Sequence, residues 1–261
     1  MSEQSPGHEG SDQWVPTCSI EALAFRAEML AGIRRFFFER SVLEVETPVL
    51  SAAGNSDPGI EQFSTHGNSL WLRTSPEYAM KRMLAAGSGD IYELGRVFRQ
   101  GESGRHHNPE FTMLEWYRQG WSYHELMEEV IELVRHCLPG FSFRETKISY
   151  RELVLSLTGL DPMVATNQEL SAFLDSNQLG IRGLSRSGKL DLVISHFVQP
   201  ELPDDGLTLV YDYPAGQAAL ARIRQDDPPV AERFELFLGS TELANGYQEL
   251  TDPEEQEERF R

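Results

Sequence analysis

The sequence predicts an α+β fold built on a mostly antiparallel sheet, and three observations carry that reading. Strand-like and helix-like segments alternate, but not as a regular series of βαβ units. Two segments, 21–40 and 123–138, repeat apolar residues at three- and four-residue steps. The 261 residues are 40% hydrophobic, enough for one large domain or two small ones with a sizeable core.

The elements follow in chain order. Residues 1–20 are polar and rich in Gly, Ser and Pro, without periodicity, so they read as a disordered tail. In 21–40, Leu23, Ala27, Leu30, Ile33 and Phe37 recur at helical spacing. VLEVETPVL at 42–50 reads as a strand that Pro48 keeps from central pairing. Residues 51–62 are loop by composition. A strand at 70–74 runs into Ser75-Pro76-Glu77, with Ser75 expected as N-cap and Pro76 as the first helical residue of a helix ending at Gly87. Strands are expected at 90–99 and 111–118. The helix at 123–138 carries Leu126, Val130, Leu133, Val134 and Cys137 on one face and Glu125, Glu128, Glu129 and Glu132 outside. Residues 150–200 read as a helical insertion on the main sheet, and 207–214 and 233–246 return to strand character.

Composition narrows the function classes. The formal net charge of −18 repels a phosphate backbone and argues against broad nucleic-acid binding; it is compatible with a cationic substrate or a basic protein partner, but solubility alone accounts for it first. No stretch approaches the roughly 18 apolar residues of a membrane span, and the N-terminus lacks a secretory pattern. Cys18 and Cys137 sit in no metal-binding spacing and read as buried, unpaired thiols in a reducing cytoplasm.

Four groups of residues can do chemistry. On a strand, Phe111, Met113, Glu115 and Tyr117 share one face, opposite Thr112, Leu114 and Trp116. A carboxylate among apolar neighbours needs a cation or donors. Glu115 is therefore either a receptor for an ammonium group, with Tyr117 as a second contact, or a glutamate paired with a structural arginine. Arg96, Arg99, Arg105, His106, His107 and Asn108 flank a loop with Gly101 and Gly104 that suits either a polyphosphate or a solvated hairpin. Asn245-Gly246 is a turn signal, and the three carboxylates Glu235, Glu242 and Glu249 around it are either magnesium ligands, since that ion takes one or two carboxylates beside phosphate oxygens, or exposed charge on an acidic protein. Glu77 at a helix start suits the helix dipole.

Taken in order, these pieces resemble the class II lysyl-tRNA synthetases. FRQGESGRHHNPEFTMLEWYR resembles the second signature motif, TSPEYAMKRML the amino-acid-binding turn, FELFLGSTELANGYQEL the metal and ATP segment, and LEVETPVL the dimer-forming first motif. The core helix begins near Glu21, leaving no room for an anticodon-binding barrel, and 51–62 lacks an Ala-Arg-Pro-Phe stretch. In both respects the chain is similar to the paralogues that join (R)-β-lysine to a lysine of elongation factor P. The resemblance implies a class II synthetase-like catalytic domain over 21–261, ATP and Mg²⁺ as cofactors, a lysine-like substrate, elongation factor P rather than tRNA as partner, a homodimer, and a cytoplasmic location. A free-standing lysyl-tRNA synthetase-like enzyme and a non-catalytic binding module are the other readings.

The resemblance also assigns residues. Arg99 is the catalytic cation and, with Gln100, Gly101, His107, Asn108, Glu242 and Leu243, binds ATP. Ser75, Pro76, Glu77, Glu115, Tyr117 and Glu249 bind the amino acid, and Glu235 and Glu242 hold the metal. Many relatives have a glutamate two residues after the motif-two arginine; here that place is Gly101, with Glu102 beside it. The third motif, a Gly-rich segment ending in an ATP-binding arginine, is expected after ELTDP, and the chain stops at Arg261, so the domain reads as C-terminally incomplete.

Overall fold

A computed structural model of the chain describes residues 16–55, 59–65, 67, 69–104, 107–180 and 183–259. Most of the expected tail, and Arg105 and His106, lie outside the described residues. The first helix, α1 (Ile20–Glu39), is capped by the Ser19 hydroxyl, which accepts from Ala22 N–H at 3.2 Å. The expected strand at 42–50 splits in two. Leu43–Glu44 (β1) pairs in parallel with β4 (Ile91–Phe98), while Leu50–Ser51 (β2) pairs antiparallel with Trp71–Leu72 (β3). Pro48, which lacks an N–H for a ladder, lies between them.

Next comes α2 (Glu77–Ala85). Its N-cap is Pro76, not Ser75, yet the Ser75 hydroxyl still accepts from Glu77 N–H at 3.2 Å. The expected capping chemistry is kept one residue further out. β4 forms a long antiparallel hairpin with β5 (Glu110–Tyr117), in which Glu93 stands opposite Glu115 and Ile91 opposite Tyr117. The helix α3 (Tyr123–Cys137) opens on a capping box of Ser122 and Glu125.

A second sheet has the order β10–β9–β7–β6, with β8 (Ile223–Arg224) beside β9. Its strands are β6 (Arg144–Ser149), β7 (Gly206–Pro214), β9 (Val230–Leu238) and β10 (Thr241–Tyr247). β6 pairs in parallel with β7 and is a strand that composition did not suggest, since five of its six residues are polar and none is buried. Tertiary pairing overrides propensity there. Two parallel pairs among the antiparallel ones keep the expected α+β class. Between β6 and β7 lie α4 (Tyr150–Thr158), α5 (Asn167–Ser176) and α6 (Arg186–Val193), continued by a π turn at Ile194–Val198; α7 (Pro253–Arg259) follows β10.

Packing explains where a site can form. One side of α3, through Tyr123, Met127, Val130 and Ile131, covers Leu207 and Leu209 of β7 and Phe234 and Leu236 of β9. Its Leu133 joins Phe36 and Phe37 of α1 and Tyr92 of β4. So α3 ties the hairpin to the large sheet. Strand alternation then puts Ala231, Arg233, Glu235 and Phe237 on the face of β9 away from α3. At that face, Val210, Tyr213, Ala231 and Phe237 pack with Tyr150, Leu153 and Val193 of the helical region. Of the two cysteines, Cys18 is exposed and Cys137 half-buried, against the expectation that both are buried. Among the described residues no helix is long and apolar enough to cross a membrane.

Candidate active site

The β4–β5 hairpin sorts its side chains by alternation. Leu94, Leu114 and Trp116 turn to the α1–α3 core. The opposite face presents Glu93, Phe111, Met113, Glu115 and Tyr117, as alternation and the register require. The two glutamates facing each other there have different partners. Glu93 is 3% exposed and meets Arg73 at 2.5 Å, and its other oxygen accepts from Thr47 N–H at 3.1 Å and Thr47 Oγ1–H at 2.7 Å. Arg73 donates in turn to the Thr47 and Arg96 carbonyls. A Cβ at Gly95 would come within 2.5 Å of the Arg73 guanidinium, so glycine leaves the room this pair needs. The structural glutamate–arginine pair thus falls on Glu93.

Glu115 instead belongs to an acidic pocket. Tyr117 Oη–H donates to it at 2.8 Å. From α2, Lys81 Nζ lies 2.6 Å from Glu77 Oε1 and 2.6 Å from Glu249 Oε2. Tyr247 Oη–H donates to the same Glu77 oxygen at 2.6 Å, and its ring centroid is 5.7 Å from Lys81 Nζ. Three carboxylates, two phenols and one ammonium therefore converge from α2, β5, β10 and the segment after it. Desolvation is the first cause that pushes Glu115 up to about 7, against the Tyr117 hydrogen bond, with Glu77 and Glu249 adding repulsion and Lys81 opposing. Glu249 is also pushed up to about 7 by desolvation, opposed by Lys81. Burial and the surrounding carboxylates raise both tyrosines well above the ordinary phenol value, so they remain hydrogen-bond donors.

A basic group adjoins this pocket. Arg99, just past β4, donates Nε–H to the Thr74 carbonyl at 3.3 Å, which ties it to the Ser75–Glu77 turn. Its guanidinium lies 5.3 Å from the Phe111 ring centroid and 3.5 Å from Glu102 Oε1. Glu102, the neighbour of the unusual Gly101, thus reaches the arginine. Gln100 N–H donates to the Glu61 carbonyl at 2.9 Å, and Gly101 takes φ +83°, a left-handed conformation that glycine accepts readily. Gly104 N–H and the His107 carbonyl close the loop at 3.0 Å; His107 and Asn108 are exposed.

Glu235 and Glu242 come from neighbouring strands. Glu235 meets Arg233 at 2.5 Å. Glu242 keeps contact with solvent although protein surrounds much of it, and its carboxyl is raised by desolvation first and by the Glu235 charge second, with Arg233 and Arg99 opposing. Two carboxylates that repel each other beside Arg99 fit a divalent cation that shares phosphate oxygens. Among the described residues no group of three His, Cys, Asp or Glu side chains could hold a metal on its own. The ladder shifts register between Glu242 and Ala244, and Leu243 projects 44% exposed.

Sequence reasoning missed Lys81, Tyr247 and Arg233. Lys81 lies four residues after Glu77, the spacing of a helix-surface pair. Tyr247 and Glu249 repeat the two-residue spacing of Glu115 and Tyr117, a signal that was present. Arg233 precedes Glu235 by two on one strand face.

A sheet-borne acidic pocket beside an arginine loop is the arrangement of an enzyme that activates an amino acid. The family model for tRNA synthetases class II (D, K and N) matches residues 16–261, and the chain belongs to that family. Its curated relatives narrow this further. It is 46% identical to a protein of Histophilus somni and 45% identical to one of Vibrio cholerae, each over 96% of this chain and 80% of the relative. A Yersinia enterocolitica relative is 45% identical over 95% of this chain and 79% of its own length. All three are named elongation factor P–(R)-β-lysine ligase.

Proposed function

We propose that this chain activates (R)-β-lysine with ATP and transfers it to a lysine side chain of elongation factor P. The observation that carries the reading is the acidic pocket, where Glu77, Glu115 and Glu249 gather around one ammonium while Arg99 stands beside the same turn. A diamino acid brings two ammonium groups and one carboxylate. Glu77, framed by Ser75 and Pro76, takes the near ammonium. Glu115, Tyr117 and Glu249 take the far one.

That orientation leaves the substrate carboxylate toward the arginine loop. The carboxylate oxygen attacks the α-phosphorus of ATP, a P–O bond to pyrophosphate breaks, and an acyl-adenylate forms. The protein mainly positions the groups and offsets their charge. Arg99 holds the α-phosphate; Gln100, Gly101, His107, Asn108 and Leu243 line the nucleotide. Glu235 and Glu242 would hold Mg²⁺, which supplies charge neutralisation at the phosphates. In the second half-reaction a lysine amine of elongation factor P attacks the acyl carbon, AMP leaves, and an amide forms.

The protein acts in the cytoplasm, where elongation factor P works. It acts as a homodimer, because α1 exposes Ile20, Leu23, Phe25 and Phe38, and the adjoining first-motif segment exposes Leu43, Val49 and Leu50.

ATP–pyrophosphate exchange with (R)-β-lysine, α-lysine or no amino acid tests the proposal. Exchange is expected to be fastest with (R)-β-lysine, followed by a mass increase on elongation factor P. Preference for α-lysine would turn the reading toward a tRNA synthetase-like enzyme. Absence of adenylate would turn it toward a binding module.

A further inference from the structure

Lys81 holds an unusual position for a helix-surface lysine. Its Nζ is 2.6 Å from Glu77 and 2.6 Å from Glu249, the two carboxylates assigned above to opposite ends of the substrate. Its side chain is only 24% exposed. Desolvation opposes its charge, yet the two glutamates more than offset this and hold the ammonium charged. The pocket thus contains one permanent cation of its own.

The ionisable groups facing it come from every surrounding element: Glu77 from α2, Glu115 and Tyr117 from β5, Tyr247 from β10 and Glu249 beyond it. The tyrosines are neutral donors. Fully ionised, the three glutamates carry three negative charges, and Lys81 brings the pocket to two. Two is the charge that a substrate with two ammonium groups neutralises.

We propose that Lys81 is a positioning residue that draws Glu77 and Glu249 together and sets the pocket charge to match a diammonium substrate. The inference rests on the ammonium-pocket reading of the proposed function. Without Lys81, Glu77 and Glu249 lose their shared counterion and repel each other across the site, and Glu249 takes up a proton more readily. A protonated carboxyl is a poor receptor for an ammonium group. Since Lys81 opposes the upward shift of both Glu115 and Glu249, its removal moves their protonation to still higher pH.

Calorimetric titration of the whole chain from pH 5.5 to 9 tests this, with (R)-β-lysine (3,6-diaminohexanoate) and with 3-aminohexanoate, which lacks the far ammonium. The unmodified protein is expected to favour the diamine and to lose affinity for it as pH falls through neutrality. In Lys81→Gln, which keeps a polar group near both carboxylates, that acid limb should move up by about half a pH unit or more, with weaker binding at pH 7. Lys81→Arg, which restores the charge, should bring the limb back. Equal affinity for diamine and monoamine in the unmodified protein would overturn the ammonium-pocket reading itself. A clear diamine preference with an unmoved limb in Lys81→Gln would overturn the role of Lys81 alone. So would failure of both Lys81→Gln and Lys81→Met to fold, since Lys81 would then be only a structural tie between α2 and the chain after β10.

Discussion

Single carboxylates decide the chemistry here, and their partners distinguish them. Glu93 and Glu115 stand opposite each other on one hairpin, yet only Glu93 has an arginine to neutralise it. Glu115 has a phenol and an acidic neighbourhood that Lys81 offsets only in part, the setting on which the proposed diamine reading rests. Replacing Glu115 by Gln keeps the shape but removes a charge-assisted bond, which costs about 2 kcal/mol or roughly thirtyfold in affinity for the diamine. Tyr117→Phe removes a neutral donor and should cost about 1 kcal/mol. Calorimetric binding checks both, and unchanged affinity in Glu115→Gln would make that glutamate structural. Glu115 and Tyr117 were legible because alternation on one strand puts them together. Lys81 was not, because the contact that defines it comes from Glu249, which only the folded chain brings to α2.

Among the elements, the long ones were legible: 21–40 and 123–138 carried enough periodicity to mark helices, and the hairpin strands appeared within a residue or two. The short ones were not. The first-motif segment makes two two-residue strands with different partners, and β6 is a strand because β7 pairs with it. Helix α1 adds a different lesson. Only Ile33, Phe36 and Phe37 are buried, while Phe38 is 81% exposed and Phe25 53%. A helix that leaves large apolar side chains in water on several sides has a second surface to cover. The proposed homodimer covers it with the same helix of another copy. Sedimentation velocity should give twice the 29.6 kDa chain mass, and Phe38→Asp should shift the protein toward monomer. A monomeric unmodified chain would remove the dimer from the reading.

Across the whole molecule, charge links stability to ligand. The chain carries a formal charge of −18, and the pocket concentrates part of it where water is scarce. Glu115 and Glu249 titrate near 7 in the folded protein, against an ordinary value of 4.5. A carboxyl raised by folding favours the folded state fully below 4.5, and that contribution is lost as pH climbs through 7. After allowance for solvent screening the loss is on the order of 1 kcal/mol per group. For a chain of this size, two such groups lower the Tm of the ligand-free protein by about 5 °C between pH 5 and pH 8. The diamine reverses the sign, because its ammonium groups stabilise the ionised carboxylates and binding strengthens as pH rises through the same window. Calorimetric melting should therefore show a falling Tm without ligand and a much flatter one with (R)-β-lysine. General repulsion among surface charges would also lower Tm with pH, so the double variant Glu115→Gln, Glu249→Gln separates the causes. It should lose most of the slope; a slope that survives in that variant would assign it to the surface and not to the site.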